Sequence, residues 1–158
     1  YGDHRDLHLS LRRQRQMCIR DRFIYNTDYT LNDEKLHSAW IKSAIFSENY
    51  DLGNIVFAFF NDEEVKKLNK KFLNKDYYTD VISFNETNDK TISGNIAISV
   101  DRVKENSRKF KCTFHDEMRR VMIHGLLHFM GYNDKSNESS AKMRKKENEK
   151  IKMFHVER

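Results

Sequence analysis

The stretch from Phe114 to Met130 constrains this chain more than any other. Met118, Val121, Met122, Ile123, Leu126, Leu127, Phe129 and Met130 place apolar side chains on nearly every side of one helix. A helix that is apolar all round has no face for water and must be buried among other elements. Thr113 is suited to cap its start and Gly131 to end it. Set into this helix are His124 and His128, at i and i+4. One turn puts both imidazoles on the same side, close enough to share a metal ion. Gly125 lies between them and leaves room for a neighbour to approach. Beyond Gly131 the chain turns through Tyr132 and Asn133 to Asp134, whose carboxylate is free of the helix and can reach back. Two neutral nitrogens and one carboxylate, spaced HxxxHxxxxxD, leave a coordination position open for water, as a catalytic site requires.

An isolated HxxxH pair is more often packing than ligation. Here the apolar setting shifts the balance, because two buried imidazoles need strong partners to offset the loss of water. Position 125 is Gly, whereas the HExxH zinc proteases carry there the Glu that takes a proton from water. Ordinary proteolysis is therefore disfavoured, and the general base has no assignment from the sequence. The remaining histidines, His4, His8, His37, His115 and His155, have no partner at ligand spacing and read as surface residues.

Around the helix the pattern predicts an α+β domain: a mixed β-sheet of about four strands packed on the buried, metal-bearing helix, with further helices around it. Phe23–Tyr25, Asn54–Phe60, Val81–Phe84 and Asn95–Val100 read as strands, from their β-branched and aromatic content. Asp33–Ser47, Asn61–Phe72 and Asp101–Lys109 read as helices, the second capped by Asn61 and led by Asp62, Glu63 and Glu64. Asn137–Phe154 reads as a last helix whose Lys/Glu alternation marks a solvated face. Thr79 and Asp80, just before the third strand, read as a turn and strand start.

Charge says less than it first suggests. Of a formal +5, residues 1–22 contribute +3 through six Arg and three Asp. That segment differs in composition from the Lys-, Asn- and Ile-rich remainder. It reads as a disordered tail, or an extension foreign to the native gene, rather than a basic arm along a nucleic acid; the domain is placed at 23–158. No apolar run is long enough to cross a bilayer, and no apolar stretch follows the N-terminal arginines as in a secretory signal. Cys18 and Cys112 form no CxxC pair, so neither a disulfide framework nor a thiolate zinc site is expected. The default compartment is the cytoplasm.

Several segments together resemble the YbeY family. HGLLHFMGYND (residues 124–134) is similar to its HGxLHxxGYDH signature, and TDVISF (79–84) to its TDVLSF strand. Asn61-Asp62-Glu63, Leu68-Asn69, Gly94-Asn95-Ile96, and Met143 with Glu147 fall in the expected order, so the resemblance spans about residues 23–154. It implies a zinc-dependent endoribonuclease on single-stranded RNA, active in 16S rRNA 3′-end maturation and ribosome quality control. RNA and the small ribosomal subunit are then its partners. It implies one Zn²⁺ on His124, His128 and position 134, acting through a water on the metal. The family's third ligand is a histidine; here it is Asp134, which weakens the Lewis acid and also suits iron or manganese. Leu73 stands where many members carry an Arg after LNxxY/F. Lys71, Lys75 or Arg102 are the candidates to replace it as phosphate contacts, as point charges in the case of Lys. The alternatives are a zincin-like metallopeptidase, a non-catalytic ribosome-associated metal-binding factor, and an iron oxygenase, which also uses two His and a carboxylate.

Overall fold

A computed structural model describes residues 23–157. Four strands form one sheet in the order β1-β2-β4-β3: β1 (Phe23–Tyr25), β2 (Asp51–Phe60), β3 (Val81–Asn85) and β4 (Thr91–Ser99). β1, β2 and β4 are parallel; β3 returns as a hairpin and lies antiparallel to β4 at the edge. The helices are α1 (Glu34–Ser47), α2 (Asp62–Leu73), α3 (Val100–Lys109), α4 (Phe114–Phe129) and α5 (Asn137–Glu157). This is the expected α+β architecture.

Alternation along the central strands supplies both faces of the core. Ile55, Phe57 and Phe59 of β2 point to one side, with Ile92, Ile96 and Ile98 of β4, and meet α1, α4 and α5. Val56, Ala58 and Phe60 point to the other side and meet Val65, Leu68 and Phe72 of α2. α4 lies on the larger side. Its Met118, Met122, Ile123, Leu126 and Leu127 are essentially without solvent contact. Gly125 lets it sit close: a Cβ there would come within 3.0 Å of Ile96 and of the Ser83 hydroxyl. The neighbour given room is thus the sheet itself, at β4 and the edge strand β3.

The caps follow local rules. Asn61 accepts from the Glu64 amide and Thr113 from the Asp116 amide. Gly131, at φ +92, lets α4 stop, and the amides of Gly131 and Tyr132 bond back to the His128 and Leu127 carbonyls.

Three expectations need correction. β2 and β4 begin earlier than expected, at Asp51 and Thr91. Their first residues pair as Asp51↔Thr91 and Leu52↔Ile92, followed by an irregularity that absorbs Gly53. α5 is not simply a solvated face: Met143, Glu147, Lys150 and Phe154 form a buried stripe at helical spacing. His37 is not a surface residue. It is buried, its ring Nδ1 meets the Asp33 carbonyl at 2.9 Å, and it packs on Trp40 and Phe154. Burial lowers its pKa and keeps it neutral. His115 and His155 are exposed as expected. Residues 1–22, with His4, His8 and Cys18, lie outside the described residues.

Candidate metal centre

The last two turns of α4 and the turn after it build the site. His124 and His128 project together from α4, and their Nε2 atoms stand 3.0 Å apart. Asp134 reaches back from the turn, its Oδ2 at 3.5 Å from His124 Nε2. Donor atoms of all three residues lie within 4.8 Å of one another. A tetrahedral ion with bonds of about 2.0–2.1 Å holds its donors about 3.4 Å apart, so the cluster needs only small adjustments to fit one.

The far nitrogens decide what the near ones can be. His128 Nδ1 lies 3.1 Å from the Tyr132 carbonyl, which can only accept, so His128 carries its proton on Nδ1. His124 Nδ1 lies 2.7 Å from a carboxylate oxygen of Glu147, so it too is the donor. In the neutral rings both Nε2 atoms are then bare lone pairs, aimed at each other and at a carboxylate. That arrangement is repulsive until a cation enters it, and it matches the backbone- or carboxylate-anchored histidine of metal sites.

The electrostatics agree. Burial opposes charge on His124, but the Glu147 hydrogen bond and the nearby carboxylates of Glu147, Asp134 and Asp80 outweigh it and raise its pKa. Burial lowers the pKa of His128, and the charge of its neighbour His124 lowers it further. Burial would raise the Glu147 carboxyl, but the bond to His124 and the guanidinium of Arg120 at 3.0 Å hold it down as an anion. The cluster therefore attracts positive charge, and the two rings cannot easily both take a proton.

Glu147 was expected on a solvated helix and is instead buried against His124. The signal available in the sequence was the Met143–Glu147–Lys150–Phe154 spacing, which puts Glu147 in line with two apolar anchors. Asp80 is the second residue given no role by the sequence pattern. It lines two hollows that meet at His124, one of about 250 Å³ towards Arg120 and Arg144, the other of about 420 Å³ along β3 towards Leu73 and His128. Burial raises its pKa.

The three expected phosphate contacts are not gathered at the cluster. Arg102 is engaged by Asp62 at 2.8 Å and Glu105 at 3.1 Å. Lys71 is exposed on the last turn of α2 with its ammonium over the Phe72 ring, and Lys75 is exposed in the following loop. Leu73, by contrast, does line the second hollow together with His124 and His128.

Fold and cluster together define an α+β protein with a three-donor, cation-seeking site at the end of a buried helix. The family model described as Endoribonuclease YbeY matches residues 24–155. The Endoribonuclease YbeY of Christiangramia forsetii is 47% identical over 135 residues, 85% of this chain and 94% of that protein. That of Flavobacterium johnsoniae is 44% identical over 135 residues, 85% of this chain and 97% of the relative. A solution structure from Thermotoga maritima superposes with a TM-score of 0.58 at 26% identity, covering 81% of this chain and 87% of that one. The chain belongs to the YbeY endoribonuclease family.

Proposed function

We propose that this chain is a metal-dependent endoribonuclease that cuts single-stranded RNA. Its place is 16S rRNA 3′-end maturation and ribosome quality control, in the cytoplasm, with the small ribosomal subunit as partner. No helix among the described residues is long and apolar enough to cross a membrane. The observation that carries the reading is the convergence of the His124 and His128 ring nitrogens and the Asp134 carboxylate, in a member of a family of endoribonucleases.

In this reading His124, His128 and Asp134 hold one divalent ion, Zn²⁺ by preference for two imidazoles and a carboxylate. Such an ion supplies Lewis acidity to a phosphodiester and to water. Glu147 and the Tyr132 carbonyl orient the two rings. Asp80, whose pKa is raised by burial, faces both hollows beside His124 and is the group placed to hold or pass a proton there. Asp134 is half exposed, so the open side of the cluster faces solvent and admits a strand from outside.

The test is cleavage of a single-stranded oligoribonucleotide, its duplex form and an unstructured peptide by the zinc-loaded protein. Activity on the single strand alone, abolished by His124→Ala and by chelation, is expected. Peptide cleavage would point to the metallopeptidase reading. No cleavage of either, with the metal bound tightly, would leave a non-catalytic factor.

A further inference from the structure

Among the described residues, five large apolar or aromatic side chains are exposed: Phe46, Leu73, Tyr77, Tyr78 and Phe110. Two of them border the candidate site. Phe110 lines the first hollow and Leu73 the second, and both hollows share His124 and Asp80. Tyr77 and Tyr78, in the loop between Leu73 and Thr79, line neither hollow, and Phe46 lies on α1. Exposed aromatic surface costs free energy unless a ligand uses it, and a clustered patch beside a site marks an interaction surface.

The ring best placed for use is Phe110, the exposed one that lines a hollow. Tyr78 has the Lys66 ammonium 4.5 Å and the Arg102 guanidinium 5.2 Å from its ring centroid, and its hydroxyl is bonded to Glu63. Tyr77 is 52% exposed and held by its backbone, whose carbonyl accepts from the Asn69 side chain at 3.1 Å. Phe110 is 57% exposed at the end of α3, with Lys109 alone near its ring at 5.8 Å. A cation accompanies Phe110. Arg144, 60% exposed and only loosely paired with Glu147 at 3.9 Å, stands in the first hollow. Of the carboxylates in the first hollow, Glu117 and Glu147 are buried, and Glu147 is already neutralised by Arg120 and His124.

We propose that Phe110 is a base-stacking residue that fixes the path of the substrate, with Arg144 as a phosphate contact. The RNA strand crosses the metal cluster from the Phe110 hollow to the Leu73 hollow, with one base stacked on Phe110 to one side of the scissile linkage. Aromatic platforms alternating with basic groups suit unpaired nucleotides, whose faces are free, and exclude a duplex, whose faces are not. This rests on the endoribonuclease reading. It deepens that reading by assigning substrate contacts that do not depend on the position left to Leu73.

The experiment measures KM and kcat of the zinc-loaded protein on a short single-stranded oligoribonucleotide. Phe110→Ala should raise KM by about 5- to 100-fold, the range for losing one stacked base, with kcat little changed because stacking holds ground and transition states alike. Phe110→Trp should restore KM, and Phe46→Ala should leave it unaltered. An oligonucleotide abasic at the stacked position should bind wild type weakly and be indifferent to Phe110→Ala. Arg144→Ala should lower the slope of log affinity against log salt by about one. A KM within about twofold of wild type for Phe110→Ala, or an equal rise in Phe46→Ala, would overturn the path while leaving the nuclease standing. A wild-type protein that cleaves no RNA, or whose Phe110 serves only peptide binding, would bring down both.

Discussion

Replacing Glu147 by Gln removes one negative charge and almost no volume. Its two oxygens now serve His124 Nδ1 at 2.7 Å and Arg120 Nη1 at 3.0 Å, and the side chain is 5% exposed. An amide has one acceptor oxygen and one donor nitrogen, so in the variant one of these two donors faces another donor. The loss is one charge-assisted hydrogen bond, about 1.5–3 kcal/mol. Arg120 is a quarter exposed and can turn to water, so the amide oxygen stays with His124 Nδ1, whose bond loses the charge that strengthened it. Metal affinity should therefore fall by about 10- to 100-fold, as for other partners behind a ligating histidine. The pH dependence carries a sign. His124 has a raised pKa, so in wild type a proton competes with the metal as pH falls; without the Glu147 charge that competition weakens. The affinity gap should be widest in mild alkali and shrink on acidification. Titration of the apoprotein with zinc against a chromogenic chelator at several pH values measures it. If Glu147→Gln binds within about twofold of wild type in mild alkali, while His124→Ala abolishes binding, the carboxylate does not support the ligand.

Other substitutions probe the surroundings. Glu48 gathers Lys150 at 2.7 Å, Lys146 at 3.1 Å and the Tyr132 hydroxyl at 2.6 Å. Burial pushes its carboxyl up, but these bonds outweigh it and hold the pKa at about 2, against an ordinary 4.5. The stability it adds, about 2–3 kcal/mol after allowing for the solvent-exposed part of Lys146, is present above pH 4.5 and lost as pH falls toward 2. Urea unfolding of Glu48→Gln against pH should show a flatter acid limb over that window, and a limb as steep as wild type would refute it. Leu73→Arg places a guanidinium in the hollow that holds His124 and His128; it should raise kcat/KM on single-stranded RNA by about tenfold or more, and an unchanged value would show the position to be out of reach of the phosphate. Gly125→Val drives two methyl groups towards Ile96, which has no solvent contact and nowhere to move. It should cost about 1–3 kcal/mol in thermal or urea unfolding, whereas a neutral result would mean that α4 can lift off the sheet.

What the sequence disclosed and what it withheld divide along one physical line. Signals that act over three or four residues were readable. The Asn61 and Thr113 caps, the stop at Gly131 and the shared face of His124 and His128 follow from helical spacing alone. The turn that returns Asp134 to the cluster is almost as local. Errors came where a polar residue is buried by a partner far along the chain. His37 packs against Phe154, Lys150 reaches Glu48 and Ser47, and Glu147 reaches back 23 residues to His124. Pattern reading assigns every Glu and Lys to water, because most of them belong there. A charged residue enters the interior only when an opposite charge or a hydrogen-bonding group is waiting, and nothing within a helical turn of Glu147 reveals His124. The candidate ligands of this site are thus written locally, while the groups that orient them are written only in the tertiary structure. Zinc affinity in Glu147→Gln accordingly tests the fold as much as the chemistry, because it measures a contact that only the packing of α5 on α4 creates.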